Sequence, residues 1–173
     1  SDGKDTLISY DGCGCAGGQV TTVQGPLVPR DDQPTVNVRR TQKAYADILG
    51  RTYKTETMNW DGSVYSSVQN TFNGRDQVTL SRQYAGAVGS SAYQDTTATF
   101  DGHGRLKTSH RPEQDAAAST TYNYNADDRI SRVVDARGAA TNYTYSDPRG
   151  LLTEVSTTSP NPATIPVTPT VTF

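Results

Sequence analysis

Phe100-Asp101-Gly102-His103-Gly104-Arg105-Leu106 is the stretch whose reading decides the fold. An aromatic residue leads into Asp-Gly, a dipeptide that tolerates the positive φ angles of a type I′ turn. The twist of that turn matches the strands it joins, so the stretch reads as a hairpin tip. The triplet recurs at Tyr10-Asp11-Gly12, Trp60-Asp61-Gly62 and Phe72-Asn73-Gly74, with looser copies at Tyr45-Ala46-Asp47, Tyr124-Asn125-Ala126-Asp127 and Tyr145-Ser146-Asp147-Pro148. After most copies a Gly or Asp adjoins Arg and then an apolar or β-branched residue: Gly50-Arg51-Thr52, Gly104-Arg105-Leu106, Asp128-Arg129-Ile130 and the rearranged Arg149-Gly150-Leu151. With the aromatics at 45, 72, 100, 124 and 145 as anchors, the spacings are 27, 28, 24 and 21 residues. Two strands and two short connections fill such a period, so one repeat is one hairpin.

The flanking residues carry the strand period of two. In Ser119 to Tyr124 and in Ala140 to Tyr145, the pairs Tyr122/Tyr124 and Tyr143/Tyr145 fall on one parity, and equivalent tyrosines on successive strands are expected to stack into a ladder. Helical periodicity is weak throughout, with Arg40 to Leu49 its best stretch. Composition agrees with strands. Only 33% of the 173 residues are hydrophobic, yet there are 25 Thr, 14 Val and 10 Tyr, the types that suit a pleated, half-buried surface. The expected fold is all-β: consecutive antiparallel β-hairpin repeats forming a twisted, open, solenoid-like sheet over residues 1–158, with repeats near 10, 45, 60/72, 100, 124 and 145, followed by a Pro/Thr-rich tail at 159–173.

Charge excludes some functions. Sixteen basic and eighteen acidic residues give a net charge of -2. The dispersed basic residues make no footprint for a phosphate backbone, so no nucleic-acid partner is expected. No apolar run approaches the ~18 to 20 residues of a membrane helix. The chain opens at Ser1 with neither an initiator Met nor a signal peptide, which fits a processed fragment or an excised piece of a longer polypeptide.

The motif aromatic-Asp-x-x-Gly-Arg-Leu resembles the YD repeat of the bacterial Rhs and teneurin-like surface proteins, from about Tyr10 to Val155. The resemblance implies an antiparallel sheet of consecutive hairpins that spirals into a hollow shell. In full-length relatives the shell encloses a C-terminal toxin or displays an adhesion module. Half a dozen repeats are too few to close such a cage. The signature residues expected to carry the repeat are Tyr10, Asp11, Gly12, Trp60, Asp61, Gly62, Phe72, Asn73, Gly74, Phe100, Asp101, Gly102, Arg105, Tyr124, Arg129 and Tyr145. Location is expected to be extracellular, on or outside a bacterial cell.

Other segments raise narrower expectations. Cys13 and Cys15 are separated by one residue. They are a free or locally oxidised pair, a link to another chain, or, with His103 and His110, a zinc set that needs distant repeats to converge. Gly25 to Val38, with Pro26, Pro29 and Pro34, reads as a loop or protected edge. In the tail, Ile165, Val167, Val171 and Phe173 share one parity, so it reads as a strand held on its own sheet or donated to another subunit. No catalytic residue, cofactor or metal is expected. The one weak signal is Asp147-Pro148-Arg149-Gly150-Leu151, similar to the element at which Rhs proteins cut themselves, and equally a hairpin turn. The leading expectation is a non-enzymatic building block that joins other copies of itself into a surface fibre or scaffold through strand edges and tail. The alternatives are a glycan-binding adhesion module, with Trp60 as its stacking platform, or a shell segment of a longer Rhs-like, toxin-delivering chain.

Overall fold

The computed structural model describes residues 3–12, 18–30 and 32–173. Among them there are thirteen strands and no helix: β1 Leu7–Gly12, β2 Gln19–Pro29, β3 Asn37–Ala46, β4 Thr52–Met58, β5 Val64–Phe72, β6 Val78–Tyr84, β7 Tyr93–Phe100, β8 Leu106–His110, β9 Thr120–Tyr124, β10 Ile130–Val134, β11 Ala140–Thr144, β12 Glu154–Thr158 and β13 Val171–Thr172. The chain divides into two units, Ser1–Asp95 and Thr96–Phe173, with the boundary inside β7. In each unit the strands lie in sequence order and every assigned pairing is antiparallel. That is the all-β hairpin succession that the repeat predicts. The weakly helical stretch from Arg40 to Leu49 is mostly β3, where strand pairing on both sides overrides a short local preference.

In unit 1, β1 pairs along its whole length with β2, from Leu7↔Gln24 to Gly12↔Gln19. Gly25 to Pro29 belongs to β2 and is not a loop. The register slips between Gln24↔Thr41 and Leu27↔Arg39. Pro26 sits in that bulge, where the ladder asks no donor of it. The Arg39 guanidinium closes the gap by donating to the carbonyl of Gly25 (2.6 Å). In unit 2, the tail strand β13 pairs with β12 of the same chain, Val155 opposite Val171, and Phe173 N donates to the Thr153 carbonyl at 3.0 Å. Further back, Thr168 N donates to Thr157 Oγ1 (2.9 Å). The end of the tail is therefore held on its own sheet, while Ile165, whose N–H donates to the Asn161 carbonyl at 2.8 Å, and Val167 lie in no strand, so the alternation of the tail makes a strand only at Val171–Thr172.

Burial is thin. Among the described residues the buried apolar ones are Tyr84 and Ala140, and the buried polar one is Ser67, whose hydroxyl donates to the Gly86 carbonyl at 2.7 Å. With so little enclosed apolar surface, strand pairing and the turns between strands must supply most of the order.

Candidate functional site

Seven described turns share one construction. Each begins at an Asp or Asn and reaches a residue in the left-handed region three positions on: Asp47 to Gly50 (φ 80°), Asn59 to Gly62 (85°), Asn73 to Asp76 (62°), Asp101 to Gly104 (83°), Asn125 to Asp128 (62°), Asp135 to Gly138 (85°) and Asp147 to Gly150 (71°). In each, the N–H of that fourth residue donates to the carbonyl of the first. In all but the last, the N–H of the first donates to the carbonyl of the fifth. This is a type I turn closed by a G1-type bulge, and it replaces the expected type I′ turn. The first side chain reinforces it. Asp101 Oδ1 accepts from the N–H groups of His103 and Arg105, both at 2.9 Å. Asp47, Asn73, Asn125 and Asp135 repeat the pattern. Asx is favoured at the first position because its side chain satisfies two backbone donors at once.

The glycines of the sequence motif consequently play different parts. Gly62 is the left-handed residue of its turn. Gly74 and Gly102 are the second residues of theirs and have no positive φ. Asp11 and Gly12 lie in β1, paired with Val20 and Gln19. Cys13 and Cys15, which follow, lie outside the described residues.

The fifth position carries an arginine in three turns, and each arginine reaches two turns at once. Arg105 Nε donates to Asp101 Oδ2 in its own turn (2.7 Å), Nη1 reaches Asp128 Oδ1 at the left-handed position of the 125–129 turn (2.5 Å), and the guanidinium lies 4.4 Å from the Tyr124 ring centroid. In unit 1, Arg51 repeats all three contacts: Asp47 (2.8 Å), Asp76 (2.7 Å) and Phe72 (4.9 Å). Arg129 lies over Tyr145 at 5.4 Å and donates to the carbonyl of Gly150. The aromatic rings tie back in the other direction. Tyr124 Oη donates to the Leu106 carbonyl (2.8 Å) and Tyr145 Oη to that of Ile130 (3.0 Å). Phe72 has no hydroxyl, and there Asn70 Nδ2 supplies the bond to Thr52 O (3.2 Å). Between these turns the stacking is thus arginine on aromatic, and the tyrosines of β9 and β11 are not among the close ring pairs. The close ring pairs are Tyr45–Tyr53 and Tyr84–Tyr93, at 6.4 and 6.0 Å.

Electrostatics follows the same contacts. Asp47 is held below the ordinary carboxylate range first by the hydrogen bond from Arg51, and Asp147 likewise by Arg149. Tyr45 is pushed up to about 12, first by burial and then by the Glu56 carboxylate that accepts its O–H at 2.7 Å.

Trp60 is not equivalent to the other aromatics. It occupies the second position of the turn at Asn59, it is 58% exposed, and the Arg30 guanidinium lies 3.5 Å from its ring centroid, covering one face. The turn at Asp135 escapes the aromatic-Asx-Gly pattern, and at Asn59 the pattern Trp60-Asp61-Gly62 is present but fills positions two to four, so it misses the Asn that opens the turn. The spacing Asx-x-x-Gly/Asp, read without the aromatic, finds both.

Residues whose side chains could carry chemistry lie in or beside these turns. The backbone N–H of His103 donates to Asp101 Oδ1, and His110 Nδ1 is 2.6 Å from the Ala118 carbonyl. Asp147 Oδ1 accepts from Arg149 N at 2.7 Å, and Gly150 N closes the turn. Among the described residues no group of three or more His, Cys, Asp or Glu could hold a metal ion, and no helix is long and apolar enough to cross a membrane.

Comparison with known proteins adds a family match over part of the chain. No curated protein matches the chain. Solved structures that resemble it include "Crystal Structure of TcdB2-TccC3-TEV", at 12% identity and a TM-score of 0.28 over 88% of this chain and 11% of that one. Another is "Crystal Structure of TcdB2-TccC3-Cdc42", at 12% and 0.28 over 91% and 12%. The chain thus spans about a ninth of the length of those chains. The family model RHS Repeat matches residues 124–163. That segment opens on Tyr124, Asn125 and Arg129, the aromatic, turn-opening and bridging residues of one rung, so the segment that is similar to an Rhs repeat begins on one of the turns described above.

Proposed function

We propose that this chain is a non-enzymatic structural element working outside a bacterial cell, and that it joins other copies of itself along the free edge of β1. The observation that carries the structural role is the repeated bridge from one turn to the next, Arg51 to Asp76 and Phe72 and, independently, Arg105 to Asp128 and Tyr124. Such bridges fix the spacing of successive hairpins where burial is too thin to do so. The joining role is supported by β1. Each of its six residues is exposed, Leu7, Ile8 and Tyr10 at 47%, 56% and 63%, and one edge has no partner among the described residues. Unpaired N–H and C=O groups beside apolar side chains are a template for another strand. Electron microscopy and light scattering of the purified chain test the reading: elongated assemblies that grow with concentration are expected, and monodisperse monomers at every concentration would refute it.

The match to RHS Repeat favours a second reading, in which the chain is a shell segment of a longer Rhs-type polypeptide and the β1 edge is filled by another hairpin of that polypeptide. An immunoblot of the source culture separates the two. A band near 18.6 kDa supports self-association, and a far larger band supports the shell segment. Glycan contact is a third reading, which rests on the exposed face of Trp60; binding to a glycan array that disappears in Trp60→Ala would support it.

A further inference from the structure

We infer that Asn73-Gly74 is a deamidation site governed by the state of the β5–β6 hairpin: held off while the turn is closed, and released when it opens. Asn followed by Gly is chemically labile because an unhindered glycine N–H allows ring closure. The Gly74 nitrogen, losing its proton, bonds to Asn73 Cγ, and Nδ2 takes up a proton and leaves as ammonia. Water then opens the resulting succinimide at one of its two carbonyls, leaving either an aspartyl residue at position 73 or its isoaspartyl isomer. In the closed turn the side chain is occupied at both atoms. Oδ1 accepts from Arg75 N (2.9 Å) and Gln77 N (3.1 Å), and Nδ2 donates to Gln77 Oε1 (3.0 Å). The backbone is pinned as well, with Asn73 N on the Gln77 carbonyl (3.0 Å) and Asp76 N on that of Asn73 (3.2 Å). Swinging Cγ onto the Gly74 nitrogen requires breaking the side-chain bonds, so the reaction proceeds through opened hairpins.

The two products differ in consequence. The aspartyl product would stand where Asp47 and Asp101 stand in their own turns, and the hairpin closes again with one added negative charge. The isoaspartyl product adds a methylene to a five-residue turn and cannot restore the bond from residue 73 to residue 77. The site is therefore a chemical record of hairpin opening. Gly74 has no positive φ, and a Cβ built on it meets nothing within 4 Å, so Gly74→Ala hinders ring closure without disturbing the turn.

Peptide mapping by mass spectrometry after incubation at neutral pH, with the chain folded and in denaturing urea, tests the inference. Modification at Asn73 is expected to be about tenfold or more slower in the folded chain, the ratio for an opening free energy of about 1.4 kcal/mol or above. Gln77→Ala, with its strand content checked by circular dichroism, should react faster than the folded wild type. Gly74→Ala should be nearly inert in urea as well as when folded. Equal rates in folded and unfolded chain would overturn the inference, as would a Gln77→Ala variant that stays folded and reacts no faster.

Discussion

At the scale of single residues, the turn geometry separates glycines that look alike. Gly104 has φ 83° and Gly102, two residues earlier, has no positive φ. A Cβ on Gly102 meets nothing within 4 Å. Gly104→Ala forces an L side chain into the left-handed region and should lower stability by about 1–2 kcal/mol. Gly102→Ala should be neutral or raise it by about 0.4–1 kcal/mol, because it restricts the unfolded chain without straining the folded one. Urea titration of both variants checks the pair. Titration of the turn carboxylates gives a second prediction. The ordinary value for Asp47 is 3.8, and the Arg51 guanidinium holds it lower in the folded chain. A group depressed in this way contributes its stability above its ordinary value and loses it as pH falls through the folded value. The melting temperature should therefore be level near neutrality and fall once pH drops below about 4. Asp47→Asn keeps the Oδ1 acceptor that Asn73 and Asn125 use but not the charge, so its melting curve should start lower and fall less steeply.

At the scale of elements, the strands were legible and the connections only partly so. The period-two tyrosines locate β9 and β11, because two-sided strand pairing depends on little beyond alternation. Turn type was not legible from Asp-Gly, since that dipeptide stands at positions three and four in Asn59–Ser63 and at positions one and two in Asp101–Arg105. Only the residue three places beyond the first Asx separates the two. The bridging arginines could be seen in the sequence as a repeated mark. Their partners could not, because Asp128 lies 23 residues from Arg105 and is brought close only by strand pairing. The tyrosine ladder failed for a related reason: alternation sets which face a ring takes but not what lies beside it, and a guanidinium fills that place. The rung predicts an element-level effect. Tyr124→Phe leaves the ring under Arg105 and removes the 2.8 Å bond to Leu106 O, which should cost about 1 kcal/mol. If ring and guanidinium act as one unit, the loss caused by Tyr124→Ala should be smaller in an Arg105→Gln background than in wild type. A double-mutant cycle by thermal denaturation measures that coupling, and additive losses would mean that rung and turn are independent.

At the scale of the whole molecule, the open question is what the exposed apolar residues are for, since a chain with so little burial still leaves Leu7, Ile8, Tyr10, Leu151 and Phe173 about half exposed or more. Two explanations give different outcomes. If association is general hydrophobic clustering, the place of a substitution is unimportant and any exposed apolar residue contributes in proportion to its area. If association is strand addition, the effect is confined to an edge, because the gain comes from a row of backbone bonds that only an edge can offer. Ile8 lies on β1, opposite Val23 of β2 and 56% exposed. Leu151 is similarly exposed, at 52%, but sits in the connection between β11 and β12 with no strand edge beside it. A lysine in an edge strand opposes pairing of like copies without touching the bonds β1 makes to β2. Ile8→Lys should therefore abolish concentration-dependent growth in light scattering and leave the melting temperature nearly unchanged, whereas Leu151→Lys should assemble as the wild type does. Equal loss in both variants would place the driving force in exposed area and not in the β1 edge.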